Sequence, residues 1–269
     1  MPSALPPATA EGWFALHQIF SVDWAAVRSL DGTGRDAIVS GAGSLFDAPL
    51  EEDAGWSDAA RLVGGGADLL FMHFRANFDA LAEIKLRVAR SSLASLLKLE
   101  YDYLSVTEAG LYHATATVAA EHDPRSEAYQ RALAEHTAAE AASPHVRSRL
   151  YPRVPEGMKY VSFYPMSKRR NHDDNWYTLP IEERSRLMRD HGLTGRRFAG
   201  KVFQVITGSV GYEDWEWGVT LFAKEPLEFK RIVTDMRYDE VSARYGEFGR
   251  FFTGIRMDPA DWPSLLNGS

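Results

Sequence analysis

At 269 residues, 45% apolar and 25% charged, the chain has the make-up of a soluble globular protein with room for one large domain or two modest ones. A net charge of −7 argues against general nucleic-acid binding, which needs a basic surface to neutralise phosphates. The lack of cysteine excludes disulfides, thiolate-held metals and cysteine nucleophiles, and leaves His, carboxylate and Tyr as metal ligands.

Residues 1–11 have no basic stretch followed by a long apolar one, so a flexible tail is expected rather than a signal peptide. No apolar run approaches the ~20 residues that span a bilayer, and a cytoplasmic protein is the default expectation. Trp13–Phe20 and Asp68–Phe74 read as strands, with the Gly- and Asp-rich stretch 32–66 between them read as loops. Apolar spacing at Leu81, Ile84, Val88 and Leu93 predicts a helix from about Phe78 to Leu99, followed by strand Tyr101–Val106. Residues 115–157 form a connector, with a surface helix over Glu127–Ala142 and Pro144, Pro152 and Pro155 breaking the chain beyond it.

The second half repeats the pattern. Strand Tyr160–Lys168 leads to a helix over about Pro180–His191, then strands Lys201–Thr207 and Trp217–Phe222. One long helix is predicted from Leu227 to Tyr245, with Phe229, Ile232, Val233 and Met236 on one stripe, and a last strand over Arg250–Arg256. The duplicated order implies an α+β fold with two ferredoxin-like repeats, 12–114 and 158–269. Their antiparallel sheets form a barrel-like core flanked by helices.

Some motifs carry little. Gly32-Thr33-Gly34 lacks the third glycine of a dinucleotide loop. Ser95 and Lys98 match S-x-x-K without companion motifs. The run from Asn171 to Asn175 has metal-ligand residue types, but consecutive polar residues in a loop are commonly solvated.

Other residues are better placed. Alternation puts Tyr164, Met166 and Lys168 on one strand face: a phenol, a soft apolar group and an ammonium, suited to a large apolar ligand with an acidic edge. Ile181, Arg184, Met188 and His191 share one helix face, and Gly192 reads as the C-cap, which would set His191 beside the negative end of the helix dipole. His191 is then either a core or interface histidine or an iron ligand for a macrocycle. Gln204 alternates with Val202 and Ile206, and is either a core amide or a neutral donor over a ligand. Arg149, Arg196, Arg237 and Ser242 are candidate carboxylate holders, with surface salt bridges the alternative for each arginine.

The segments Tyr164–Arg170 (YPMSKRR), Asp174–Pro180 (DNWYTLP), Met188–Leu193 (MRDHGL), Phe198–Val202 (FAGKV) and Ser242–Gly249 (SARYGEFG) closely resemble the coproheme decarboxylases, the haem-synthesis branch of the chlorite dismutase-like superfamily. The match is dense over 149–256 and looser over 12–106, where Gly12–Gln18 and Ser21–Trp24 still look like the family's opening. The resemblance implies a ring-shaped homopentamer with its ligand in the second repeat. It implies that iron coproporphyrin III (coproheme) is the substrate. Its propionates 2 and 4 become vinyl groups in two oxidative decarboxylations, driven by hydrogen peroxide, and the product is haem b. By position His191 is similar to the iron ligand, Tyr164 to the redox-active tyrosine and Lys168 to the residue beside the reacting propionate. Arg149 is similar to the propionate-binding arginine if one inserted residue is allowed, and Met166, Arg237 and Ser242 fall among the porphyrin contacts. Gln204 takes the distal place where chlorite dismutases carry an arginine, and a glutamine offers no cation to chlorite. A chlorite dismutase and a non-catalytic haem carrier or sensor are the alternatives, and transient contact with a coproporphyrin ferrochelatase is a further expectation.

Overall fold

Residues 4–46 and 54–267 are described in the computed structural model of the chain. The first strand, β1 (Ala8–Val22), is longer than its apolar core suggested. It begins inside the segment expected as a tail, because Ala8–Glu11 pair with the far end of another long strand, β4 (Leu97–Leu111). Between β1 and β4 lie α1 (Trp24–Ser29), α2 (Gly32–Phe46), β2 (Gly55–Gly64), β3 (Leu69–Arg75) and α3 (Phe78–Arg90).

The stretch read as loops is therefore mostly ordered structure. Four glycines give α2 poor helix propensity, about 1 kcal/mol each against alanine. Burial of Ile38, Ala42 and Leu45 at i, i+4 and i+7 overrides it, and Asp31 Oδ1 accepts the Gly34 N–H (2.7 Å) to start the helix. A Cβ at Gly41 would meet Ser92 Oγ, which would have to turn away from the Ala37 carbonyl it bonds. The helix predicted to Leu99 stops at Arg90, and a 3-10 turn over Ser92–Leu96 leads directly into β4.

The connector is helical: α4 (Tyr112–Glu121), α5 (Glu127–Ala141) and α6 (Pro144–Leu150). Pro144 does not break structure but starts α6, at a position where its missing N–H costs nothing, with Ser143 as the cap. The second half holds β5 (Tyr160–Lys168), α7 (Ile181–Arg196), β6 (Val202–Gly208), β7 (Trp217–Ala223), α8 (Leu227–Arg237), α9 (Glu240–Tyr245), β8 (Gly246–Phe248) and β9 (Phe252–Met257). Helix α10 (Trp262–Asn267) ends the described chain.

The sheet runs β7-β6-β4-β1-β3-β2-β9-β5, and β5 pairs back onto β7, so eight antiparallel strands close into a barrel. The short β8 extends the edge of β5 beyond β9. Each half has the same spatial order of strands, fourth-first-third-second: β4-β1-β3-β2 and β9-β5-β7-β6. A barrel of this size is filled by side chains. Trp13, Ile19, Met72, Tyr103, Phe163, Val205 and Phe222 fill this one. His17 is fully buried among them, stacked on Phe163 (4.2 Å) with Nε2 2.9 Å from Thr220 Oγ1, and burial lowers its pKa to about 3, which keeps it neutral. The helices cover the outside of the barrel. In the first half this layer is packed by α2, α3 and α10, with Trp262 stacked on Phe46.

Candidate functional site

Strand β5 has the bounds its alternation predicted. Val161 and Phe163 enter the barrel, while Tyr164 and Met166 face outward into an apolar layer with Phe198, Val219, Leu221, Phe229 and Ile232. Tyr164 stacks on Phe251 (4.2 Å) and lies near Phe248 (6.1 Å). It is only 7% exposed, and its hydroxyl has no protein partner among the described residues. Burial raises the phenol well above its ordinary pKa, against the opposing pull of Arg237. Arg237, at the end of α8, rests on the Phe248 ring (4.3 Å).

Lys168 is as buried as Tyr164. Its backbone N–H donates to Glu216 Oε2 (2.8 Å), and its ammonium lies over Trp176 (4.9 Å) with no hydrogen-bond acceptor among the described residues. Burial lowers its pKa to about 8, even though Asp239 and Glu216 pull upward. The polar run Asn171–Asn175 serves this arrangement: Asn175 caps the 3-10 turn Trp176–Thr178 that buries Trp176, while His172 is exposed and, among the described residues, pairs with its neighbour Asp173 alone (2.9 Å).

His191 is not at a helix end. α7 continues through Gly192 to Arg196, so the negative end of the helix lies more than a turn beyond the imidazole. A carboxylate acts on it instead. His191 Nδ1 is 3.0 Å from Asp239 Oδ2, and Nε2 has no protein partner among the described residues. Asp239 stands in the break between α8 and α9, where a single helix was expected. It caps α9 by accepting the Ser242 N–H (3.2 Å) and also takes the Ser242 hydroxyl (3.3 Å). Burial alone would raise its carboxyl pKa, but the hydrogen bond and charge of His191 and the two Ser242 bonds hold it below the ordinary value. An ionised Asp239 accepts Nδ1–H and leaves the Nε2 lone pair available.

Tyr164, Met166, Lys168, His191 and Arg237 thus meet on one outer face of the second half. Ser242 is there as well, but its hydroxyl is spent on Asp239, so it positions a carboxylate of the protein rather than standing free to hold one from a ligand. Gln204 is exposed on β6, opposite Leu221, and is not a core amide; its same-face neighbours Val202 and Ile206 pack on the Tyr164 layer. Arg149 is the outlier. It sits on α6 with no hydrogen bond or ion pair among the described residues, and although solvent reaches it, surrounding protein lowers its pKa through desolvation. Arg196 is exposed at the end of α7. Two cavities, of about 700 Å³ between β1, α5 and α6 and about 860 Å³ beside β2 and β9, are lined by none of these residues. The site is a face between sheet and helices, apart from both.

Sequence reasoning missed Asp239, Trp176 and Glu216. Only Asp239 left a usable signal: an aspartate three residues before Ser242 inside a predicted helix, which suits an N-cap far better than a helix interior.

A family model described as chlorite dismutase matches residues 35–257. The chain is 40% identical to a structure from Thermus thermophilus described as a novel haem-binding protein, with 99% of each chain covered and a TM-score of 0.84. Chlorite dismutase from Candidatus Nitrospira defluvii, solved in complex with imidazole, shares the fold at 15% identity, with 95% of each chain covered and a TM-score of 0.70. A family match over most of the chain and 40% identity along nearly all of it carry the conclusion that this chain belongs to the chlorite dismutase family.

Proposed function

We propose that the chain binds an iron porphyrin against the outer face of β5 and β7 and carries out peroxide-dependent oxidative decarboxylation of iron coproporphyrin III to haem b. The observation that supports this most is Tyr164. A buried structural tyrosine normally bonds its hydroxyl to the protein; this one is set in an apolar layer with its hydroxyl unpaired among the described residues, on the same strand face as a buried ammonium. The residues fit a porphyrin: an apolar surface, an imidazole with a free Nε2, and cations at Lys168 and Arg237 for carboxylates.

The bound iron supplies one-electron oxidising chemistry. The protein's residues do the rest. His191 is oriented by Asp239 to present Nε2 to the iron, and the charge of Asp239 makes that nitrogen a stronger donor. Tyr164, held as the neutral phenol by burial, gives up a hydrogen atom and recovers one from the propionate β-carbon. Lys168, near the field of Asp239, partners the carboxylate and holds or releases a proton close to neutral pH. Arg149 is proposed as a propionate arginine on the resemblance alone. Each turnover consumes one propionic acid group and one hydrogen peroxide and yields a vinyl group, carbon dioxide and two waters. The neutral, exposed Gln204 lies at the edge of the layer and favours peroxide over an anionic oxidant. A homopentamer and docking to a ferrochelatase rest on the resemblance, and a cytoplasmic location on the lack of an apolar run long enough to span a bilayer.

The test is anaerobic loading with coproheme, then peroxide, then porphyrin mass. The expected loss is about 46 mass units per propionate, carbon dioxide plus two hydrogens. Tyr164→Phe should bind coproheme with an ordinary Soret band and lose none of that mass; full turnover by this variant removes the radical role. The description of the 40% identical relative as haem-binding favours a second reading, a haem carrier. In that case the wild type would bind coproheme and its porphyrin mass would not change. Oxygen evolution from chlorite would mark a dismutase instead.

A further inference from the structure

Antiparallel pairing of β5 with β7 ends at Met166 opposite Trp217, before β5 itself ends at Lys168. Alternation points the Lys168 backbone N–H to the side where β7 has run out, while the next N–H, that of Arg169, bonds the Tyr245 carbonyl (2.8 Å) on the other side. A buried N–H without a ladder partner is costly. The side chain of Glu216, the residue just before β7, takes the place of the missing strand: its Oε2 accepts the Lys168 N–H (2.8 Å). The backbone N–H of Glu216 donates to the Met166 carbonyl (3.1 Å) and to Ser167 Oγ (3.2 Å). Glu216 therefore bonds three consecutive residues of β5, at the end that carries the ammonium.

The same carboxylate reaches the loop beyond β5. Its Oε1 lies 3.6 Å from Arg170 Nη1. Arg170 pairs with Asn175 as an isolated bridge, and the Trp176 N–H donates to the Arg169 carbonyl (3.0 Å), so the loop closes on itself and sets the Trp176 ring. The Lys168 ammonium lies over that ring (4.9 Å). Arg170 is exposed, so its ion pair alone is weak. The bond to the Lys168 N–H is buried and charge-assisted, and is the stronger tie. One buried side chain thus holds the backbone from which the ammonium rises and braces the loop bearing the ring beneath it. A lysine stem is long and flexible, and a single ammonium position needs such support.

We propose that Glu216 is a positioning residue for Lys168, fixing the ammonium where it meets a carboxylate of the ligand on the β5 face. This rests on the reading of Lys168 as the partner of the reacting propionate. Glu216 acts through the end of β5 and the Trp176 loop rather than on the reacting atoms.

Competitive labelling of the ligand-free, full-length protein with acetic anhydride, read by mass spectrometry at Lys168 against the exposed Lys201, tests the positioning without any turnover. Glu216→Ala should raise the Lys168 labelling rate roughly tenfold, the factor expected for loss of one buried charge-assisted hydrogen bond, and leave Lys201 unchanged. Glu216→Gln keeps an acceptor for the Lys168 backbone N–H and should label nearly as the wild type does. Glu216→Asp draws the carboxylate back by one methylene and should label like Glu216→Ala; it decides the matter if the alanine variant does not fold. Unchanged Lys168 labelling in the variants that lose the bond overturns the proposal, as does an equal rise at Lys201, which marks general loosening. Coproheme turnover supplies the second arm. Lys168→Met and Glu216→Ala should each lower kcat, and the double variant should be no slower than Lys168→Met alone, because Glu216 acts through that ammonium. Losses that multiply overturn the proposal. A wild type that binds coproheme and never decarboxylates it defeats the proposed reaction instead, and the labelling then still decides whether Glu216 holds Lys168.

Discussion

Lys168 carries an ammonium into a layer where burial brings its pKa from 10.5 down to about 8. The sign of the consequence is fixed by linkage. Between pH 8 and 10.5 the unfolded chain holds a proton that the folded chain has released, so this group's contribution to stability rises with pH across that window. Below pH 8 both states are protonated and the full penalty applies, on the order of 3 kcal/mol for a shift of this size. Lys168→Met should therefore make the ligand-free protein more stable at about pH 7, by about 1–3 kcal/mol. That advantage should shrink as pH rises toward about 10. Urea denaturation of both proteins across this range measures it, and a gap that stays constant with pH would show that desolvation of the ammonium is not its source. Retention of a residue that destabilises the empty protein is what a ligand-facing cation looks like.

Helix α7 shows how an element can outrun its sequence signals. Gly192 follows the last apolar position of the stripe and resembles a stop, yet the chain stays helical for four more residues. Its φ is not positive, and a Cβ at this position would meet nothing within 4 Å. Gly192→Ala should then stabilise the ligand-free protein by about 0.5–1 kcal/mol, mainly by reducing the freedom of the unfolded chain. Thermal unfolding checks this, and a lowered melting temperature would mean that the glycine is needed there. The break between α8 and α9 is the complementary case. A hydrophobic stripe continues to Met236, but Asp239 caps a new helix, and that interruption turns its carboxylate toward His191. Continuous helix through 238–239 would have lost the carboxylate that holds the imidazole.

The whole molecule is held by barrel closure. The halves share sheet edges where β4 meets β6 and where β2 meets β9, and α10 packs on the first half. Trp262 is 1% exposed against Phe46 and Phe71. Trp262→Ala should cost about 3–5 kcal/mol, the usual range for emptying a large aromatic site. Because the strands are shared, circular dichroism and tryptophan fluorescence should report one coincident urea transition in this variant, shifted to lower urea. Separate transitions for the two halves would show that closure does not couple them. The outer layers differ in content: α10 and the rings of Phe46 and Phe71 fill the first, while the second keeps Tyr164, Met166 and Lys168 beneath α7 and α8.

The sequence alone determined the strands with clean alternation, above all Tyr160–Lys168, and with them which side chains share a face. A two-residue period is a local property that survives in any register. The amphipathic stripes of α3, α7 and α8 were legible for the same reason, and so were the long motifs around Tyr164 and His191. Tertiary structure decided what local propensity could not. Helix α2 forms against its glycines because Ile38, Ala42 and Leu45 gain burial, and Ala8–Glu11 become strand because β4 offers them partners. The pairing of His191 with Asp239 joins residues 48 apart in sequence, and the bond from Arg75 to Ser57 Oγ joins β3 to β2. Such contacts depend on how elements pack across the barrel, which no periodicity within a single segment encodes.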